Sequence, residues 1–290
     1  MAQLLEIFPD VVNPSKQLPT AVHDVQHFIK TASPPVASRF RRLEGAKLQA
    51  ARMEFDQMQR DGIVRRSTSP WASPLHMVAK KDGSWRPCGD FRRLNLVTEP
   101  DRYPLPNMLD FADRLNGCCI FSKINLRKGY WQIPMSKDDI AKTAVITPFG
   151  LYEFLVMAFG LRNAGSSFQR MMDRVILGLP FAFCYLDNLR VASQSPEEHI
   201  DHLFILFKRL REFGLVINLE KCTFHVPEIE FLGHTVSALG ALPLQSNVEA
   251  VKQFPEPATI KEMQVFLGMV NFHRHSSPML PTLCCPSLTV

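Results

Sequence analysis

The chain lacks the features of a membrane or exported protein. It has no run of about eighteen consecutive apolar residues, so no membrane-spanning helix is predicted. Its first residues, MAQLLEIFPDVVNP, are acidic and interrupted by proline, which does not fit a signal peptide. We therefore expect a cytoplasmic or nuclear protein, not a secreted one, with no membrane partner.

Cysteine pairs with metal-ligand spacing are also absent. Of the seven cysteines, no two are spaced as C-x-x-C, and several lie inside apolar runs. This pattern is typical of reduced, buried thiols and excludes a zinc cluster or a disulfide framework. The chain also has no internal repeat and no low-complexity tract.

What is present is an ordinary globular composition. The 290 residues are 46% hydrophobic and 21% charged, enough for one large core or two modest domains. The formal net charge is +5, a mild excess that permits a polyanionic partner without requiring one.

Periodicity and capping signals predict the main elements. The segment before residue 42 is rich in proline and is expected to lack a core of its own. The first predicted helix has apolar residues at Leu43, Ala46, Ala50, Met53 and Met58. Each of the last two predicted helices begins with a capping box. The predicted helices cover residues 43–61, 107–115, 164–177, 196–213 and 260–272. The predicted strands cover residues 75–79, 118–126, 142–146, 152–156, 216–218 and 230–236, with a further strand from Trp85.

Residues 181–194, FAFCYLDNLRVASQ, are the centre of the chain. Two apolar runs are separated by Asp187-Asn188, which suits the two-residue turn of a β-hairpin. A hairpin of this kind needs no chemical role. Alternatively, a carboxylate at such a tip could help hold a divalent cation, although one carboxylate is too few.

A second hairpin is predicted around the turn that follows residue 79. Lys80, Lys81 and Arg86 would lie together at its tip. The tip is either a solvated turn or a phosphate clamp on a mobile finger.

Many ordered motifs together resemble one family. They are SPWASPLHMVAKKDGSWRPCGDFRRLN, DRYPLP, FSKINLRKGYWQIP, KTAVITPFGLYEFLVMAFGLRNAG, SSFQRMMD, FCYLDN, VINLEKCTFH, EFLGHTV and FLGMVNF. From about residue 23 to 271 the chain resembles the reverse transcriptase of gypsy-type LTR retrotransposon Pol polyproteins. The resemblance implies an α+β right-hand polymerase with an antiparallel palm sheet packed on helices. It divides the chain into a lead-in (1–38), fingers (39–103 and 133–157), palm (104–132 and 158–240), the start of the thumb or connection (241–275) and an irregular tail (276–290). The family's RNase H domain has no counterpart here.

The resemblance also implies a site for two Mg²⁺ ions held by three aspartates. Two ions would activate the primer 3′-hydroxyl and hold the triphosphate. Here the three positions are Asn125, Asp187 and Asn188, with Leu126 as a further metal-binding position. Each Asn preserves the shape of Asp and removes one negative charge.

Other site residues follow from the same resemblance. The implied nucleotide-binding residues are Lys80, Arg86, Tyr130, Phe159 and Gly160. The implied template–primer residues are Gln169, Tyr185, Phe231, Leu232 and Gly233. Tyr130 and Phe159 could instead be core aromatics.

Three functions remain open from the sequence. The chain could be a working RNA-directed DNA polymerase that uses primer–template and dNTPs, and the two Asn residues oppose this. It could be a non-catalytic nucleic-acid-binding module, because its basic residues can bind phosphates without metal ions. It could also be an inert relic of a decayed element.

Overall fold

A computed structural model of the chain describes residues 2–12, 22–79, 83–106, 115, 117–231, 233–238 and 240–273. In these residues the helices are α1 (Ala2–Ile7), α2 (Pro9–Val12), α3 (Gly45–Arg60), α4 (Arg92–Val97), α5 (Ala164–Val175), α6 (Pro196–Glu212), α7 (Gln245–Lys252) and α8 (Ile260–His273). The strands are β1 (Val64–Arg66), β2 (Ser73–Ala79), β3 (Trp85–Gly89), β4 (Ile120–Ile124), β5 (Val145–Thr147), β6 (Gly150–Phe154), β7 (Ala182–Tyr185), β8 (Asn188–Ser193), β9 (Thr223–Val226), β10 (Glu228–Phe231), β11 (His234–Ser237) and β12 (Gly240–Pro243). The predicted helix at 107–115, apart from Leu115, and the tail beyond residue 273 lie outside the described residues.

Within the described residues the strands form sheets of five, four and three strands. The five-stranded sheet has the order β1-β6-β5-β2-β3, and its β2–β5 pair is parallel while its other pairs are antiparallel. The four-stranded sheet, called the central sheet below, has the antiparallel order β7-β8-β4-β9. The three-stranded sheet is the meander β10-β11-β12. The fold class is α+β, as predicted.

Helix α6 forms where its capping signals predict. The Ser195 hydroxyl accepts a hydrogen bond from the Glu198 main-chain N–H at 3.2 Å, and Pro196 occupies the first turn. The helix ends before Gly214, whose φ of +66° is the left-handed conformation of a C-cap. Its buried face packs against the central sheet through a stripe that consists of His199, Leu203, Leu206, Phe207 and Leu210.

Helix α3 is present, and the face predicted for it was right in part: Met58 is buried and Ala50 packs against the core, but Met53 points to solvent. Met53 is 72% exposed, whereas Ala51, Phe55 and Met58 are buried. The Phe55 ring contacts the ring of Tyr152 on β6, with the centroids 4.9 Å apart. Large aromatic side chains have the most apolar area to bury, so this contact determines which face points inward.

Two predicted strands were also wrong. The segment 230–236 is not one strand but parts of β10 and β11, which pair as a hairpin with Phe231 opposite His234. Gly233 in the turn has a φ of +81°, a conformation that glycine adopts without steric cost. The segment 216–218 forms only an isolated bridge, between Ile217 and Leu126.

The lead-in segment has no separate core and joins the main one, consistent with the prediction. Phe8 is buried between α2 and α6, with its ring centroid 5.3 Å from that of Phe204 and 5.8 Å from that of Phe207. The carboxylate of Asp10 accepts a hydrogen bond from Arg211 Nε at 2.7 Å. The first residues of the chain are therefore attached to a helix about two hundred positions later.

A smaller apolar cluster lies between the central sheet and the β10–β11 hairpin. Its buried members are Leu115, Cys118, Phe121, Phe183, Ala192, Ile229, Phe231 and Val236. This cluster fixes the β10–β11 hairpin beside the β7–β8 hairpin.

Candidate active site

The tip of the β7–β8 hairpin lies one residue earlier than predicted. Tyr185 pairs with Asn188, so the turn consists of Leu186 and Asp187, and Asn188 begins β8. Leu186 has a φ of +53°, in the left-handed region that a leucine rarely adopts. A turn of this kind needs support from the rest of the protein.

Gln169 of α5 provides that support from beneath the turn. Its side-chain oxygen accepts a hydrogen bond from the Leu186 main-chain N–H at 2.8 Å, and its amide nitrogen donates to the Cys184 carbonyl at 3.0 Å. The side chain of Gln169 is fully buried. Any role of Gln169 in template binding, as the resemblance implies, would therefore be indirect.

A line of polar contacts continues from Gln169 to the segment before β4. The Gln169 amide nitrogen also donates to Asp173 Oδ1 at 2.8 Å, and the Tyr103 hydroxyl donates to Asp173 Oδ2 at 2.6 Å. Burial and the neighbouring Asp173 carboxylate raise the pKa of Tyr103 to about 12. The phenol therefore stays protonated and remains a hydrogen-bond donor.

The β-sheet register brings Asn125 to the same tip. β4 pairs with β8 as far as Ile124 opposite Leu189. Asn125 directly follows β4 and Asn188 is the first residue of β8, so both lie next to this last pair, at the same end of the central sheet. The Asn125 main chain is held by its carbonyl, which accepts from the Asn218 N–H at 2.7 Å, and by its N–H, which donates to Cys222 Sγ at 3.3 Å.

Asp187, Asn188 and Arg190, called the tip triad below, form a chain of hydrogen bonds. Arg190 Nη2 donates to Asn188 Oδ1 at 3.3 Å, and Asn188 Nδ2 donates to Asp187 Oδ1 at 3.3 Å. Arg190 is 5% exposed and also donates to the Glu230 carbonyl at 3.2 Å. Burial lowers the pKa of Arg190 to about 10, so its guanidinium is still charged at neutral pH.

Sequence reasoning missed Arg190 because it lies within a run otherwise made of apolar residues. A charged residue in a buried strand is rare unless it has polar partners, and that rarity is the signal that could have identified it.

A cleft of about 410 Å³ opens between α3, β3 and the segment after β4. Its cationic lining residues are Arg86, Arg127, Lys128 and Lys221, its acidic lining residue is Glu54, and Leu126 also lines it. The positive charges predict affinity for an anion such as a phosphate.

Of the two predicted nucleotide-binding aromatics, Phe159 lines this cleft and Tyr130 stacks on Phe159. The rings of Tyr130 and Phe159 are stacked with centroids 4.9 Å apart, and the Arg86 guanidinium lies 6.0 Å from the Phe159 ring. Phe159 is 45% exposed, so it is not a core residue, while Tyr130 also packs on buried Phe168. Burial and the negative charge of Asp187 raise the pKa of Tyr130.

Gly160 is adjacent and borders a second cavity of about 390 Å³, together with Arg41, Asp90 and Arg92. Its φ is +89°, and its carbonyl accepts a hydrogen bond from Asn95 Nδ2 at 2.8 Å.

Three of the predicted template–primer residues, Tyr185, Phe231 and Gly233, lie at the smaller apolar cluster or in the β10–β11 hairpin. Tyr185 packs against the smaller apolar cluster, and Phe231 is buried in it, with the Arg190 guanidinium 5.4 Å from its ring. Gly233 is in the turn of the β10–β11 hairpin. Leu232, Lys80 and Lys81 lie outside the described residues.

The residues at the tip do not fit a pair of Mg²⁺ ions. Mg²⁺ favours anionic oxygen ligands, and of positions 125, 187 and 188 only Asp187 supplies one. The Asn188 amide presents its N–H to Asp187, so a hydrogen-bond donor lies beside this carboxylate. Across the described part of the chain, no group of three or more His, Cys, Asp or Glu residues could hold a metal ion.

Residues 78–236, more than half of the chain, match the family model described as reverse transcriptase (RNA-dependent DNA polymerase). The chain belongs to the reverse transcriptase family. Reverse transcriptases generally use divalent metal ions.

Relatives of this reverse transcriptase domain are retrotransposon Pol polyproteins. The chain is 36% identical over 275 residues to the retrovirus-related Pol polyprotein from transposon 297 of Drosophila melanogaster, which covers 92% of the chain and 26% of that protein. It is 34% identical over 246 residues to the transposon Tf2-7 polyprotein of Schizosaccharomyces pombe, covering 84% of the chain and 18% of the relative. The chain thus spans about a quarter or less of the length of these relatives. The predicted assignment to the reverse transcriptase domain of a retrotransposon Pol polyprotein is confirmed, while its gypsy subtype stays a prediction.

Solved structures of similar fold confirm the polymerase architecture. A foamy viral protease-reverse transcriptase in complex with double-stranded DNA has a TM-score of 0.82 at 23% identity, over 94% of this chain and 48% of that one. The foamy viral enzyme in complex with an RNA/DNA hybrid has a TM-score of 0.79, also at 23% identity, over 94% of this chain and 37% of that one. Within the described residues, no helix is both long and apolar enough to cross a bilayer.

Proposed function

We propose that this reverse transcriptase domain binds a primer–template duplex in its basic cleft but lacks the metal-based chemistry of nucleotide transfer. The single observation that supports the second half is the donor set at the hairpin tip, where Asp187 is the one carboxylate among positions 125, 187 and 188. The basic residues of the cleft support the first half, because they depend on no metal ion.

The expected catalytic loss is large. Carboxylates at positions 125 and 188 would help hold divalent cations, and those cations would neutralise the negative charge that develops on the triphosphate. Each 1.36 kcal/mol of lost stabilisation slows the reaction tenfold. Losing two such ligands should cost several kcal/mol, so we expect a rate lower by at least roughly three orders of magnitude.

Binding, in contrast, should persist and should depend on salt. Each phosphate contact releases counterions, so the logarithm of the association constant falls with the logarithm of salt concentration by about 0.9 per contact. The foamy viral structures with double-stranded DNA and with RNA/DNA hybrid support this class of partner. dNTPs are the expected second ligand, with Arg86 and the Tyr130–Phe159 pair at the nucleotide.

The experiment measures both properties on the same sample. Fluorescence anisotropy with a labelled RNA/DNA primer–template, titrated at several salt concentrations, should give a steep slope, and primer extension with Mg²⁺ or Mn²⁺ should give no product. Arg127→Gln should reduce the slope by about one, because Arg127 lines the basic cleft and has no role proposed for it at the nucleotide. The matched control is Arg65→Gln, because Arg65 lies on β1 and is ion-paired to Glu153 at 2.7 Å; its slope should not change.

A flat salt response, or no binding at all, would refute the binding half and favour an inert relic. Extension by the unaltered chain would refute the chemical half.

A further inference from the structure

The tip triad is ordered by the chemistry of its members. A guanidinium has only hydrogen-bond donors, so Arg190 must face the oxygen of the Asn188 amide. The amide nitrogen then points to Asp187, to which it donates. The partly positive N–H groups of the Asn188 amide therefore face the Asp187 carboxylate.

Arg190 is held in this place by the surrounding strands. Its guanidinium donates to the Glu230 carbonyl at 3.2 Å and to the Leu189 carbonyl at 3.1 Å, and it lies over the Phe231 ring. It is 5% exposed, and no described residue forms an ion pair with it within 4.0 Å. A buried fixed cation opposes the binding of a divalent cation nearby, because the two charges repel strongly where water is excluded.

A carboxylate at position 188 would meet the same cation. It would be within reach of Arg190 Nη2, which is now 3.3 Å from Asn188 Oδ1 in a half-buried contact, and a carboxylate accepts a stronger hydrogen bond from a guanidinium than an amide does. Such a pair would turn the restored carboxylate away from a metal ion.

We propose that Arg190 prevents divalent cations from binding at this site. It holds the tip triad in the hydrogen-bonded chain Arg190–Asn188–Asp187, so restoring Asp at positions 125 and 188 is not sufficient for tight metal binding. The inference rests on the proposed function in placing the metal position of the family at this tip.

Metal binding itself is the test, with Mn²⁺ as the probe and isothermal titration calorimetry as the measurement. The proteins compared are the full chain, Asn125→Asp/Asn188→Asp, and the same double variant with Arg190→Leu. The double variant should bind Mn²⁺ weakly, and the triple variant should bind it at least about tenfold more tightly. Adding Arg65→Leu to the double variant is the control, because it removes a cation on β1 that is ion-paired to Glu153 and should change the affinity about twofold or less.

Tight Mn²⁺ binding by the double variant, equal to that of the triple variant, would overturn the inference. Should the Leu variant not fold, Arg190→Met supplies the triple variant, because the longer, unbranched methionine adapts better to the space. The melting temperature offers a second readout: at one Mn²⁺ concentration it should rise more in the triple variant than in the double variant. Primer extension by the unaltered chain would show that the proposed function is wrong. This outcome is separate from the Mn²⁺ affinities of the variants, which test the inference about Arg190.

Discussion

Replacing Gln169 with leucine should weaken the hairpin tip more than any surface change. Leucine is similar in size to glutamine and cannot form hydrogen bonds. The substitution leaves the Leu186 N–H and the Cys184 carbonyl without the partners that they have at 2.8 Å and 3.0 Å. It also leaves Leu186 in a left-handed conformation with less to hold it there.

The size of the destabilisation follows from the two main-chain groups that lose their hydrogen-bond partners. A buried polar group without a partner costs about 1–3 kcal/mol. We therefore expect the free energy of unfolding to fall by about 2–5 kcal/mol, a large part of the roughly 5–15 kcal/mol that a folded domain has.

Urea unfolding measures the total loss of unfolding free energy, and amide hydrogen exchange shows which part of the fold is destabilised. The Leu186 amide should exchange roughly tenfold faster or more in the variant. Gln132→Leu is the matched control, because Gln132 is also buried and bonds to main-chain groups at 2.7–2.9 Å, including both the N–H and the carbonyl of Val216. It should lose similar stability but accelerate exchange at Val216, not at Leu186.

A loss below about 1 kcal/mol for Gln169→Leu would refute the reasoning, since it would be within the range of a single ordinary hydrogen bond. Equal acceleration at Leu186 in both variants would refute the specific link between Gln169 and the turn.

Two further predictions concern stability. Burial lowers the pKa of His27 and of His199 to about 4, so the unfolded chain, with a pKa near 6.5, takes up protons first, and stability should fall as the pH drops from about 6.5 toward 4. Each histidine should cost roughly 2 kcal/mol by about pH 5, and equal free energies of urea unfolding near pH 7.5 and 5 would contradict this. Gly89→Ala should destabilise by about 1–3 kcal/mol, because its Cβ would lie 2.5 Å from the Phe91 ring. Gly268→Ala in α8 has no atom within 4 Å of its Cβ and should stabilise by up to about 1 kcal/mol in thermal unfolding; the opposite order would show that packing at Gly89 does not decide the outcome.

Elements with local signals were predictable from the sequence. The capping box of α8 forms as expected, with the Glu262 N–H donating to Thr259 Oγ1 at 3.2 Å and the Thr259 N–H donating to Glu262 Oε2 at 3.1 Å. Such contacts lie within one turn and need no information about the rest of the chain. Helix α7 was missed because neither a capping box nor a strong apolar stripe marks it.

The site was predictable in outline only. The motifs predict that Asn125, Asp187 and Asn188 share one site. The β4–β8 pairing puts Asn125 and Asn188 at the same end of the central sheet, and their joint role stays a prediction. The turn was predicted one residue late because Asn and Asp favour left-handed conformations, whereas here a distant glutamine stabilises a leucine in that role. The role of Arg190 depends on the residues that pack around strand β8, and these neighbours are known only from the three-dimensional structure.

The attachment of the first helices to α6 affects how the protein is synthesised. Asp10 and Arg211, which bond in the folded chain, are separated by 201 positions. At roughly 5–20 residues per second, a ribosome needs about 10–40 s to make that stretch. During this time the apolar side chains of Leu4, Phe8 and Val11 have no α6 to cover them, so we expect this segment to stay exposed, as apolar surface that chaperones recognise, until α6 has been made.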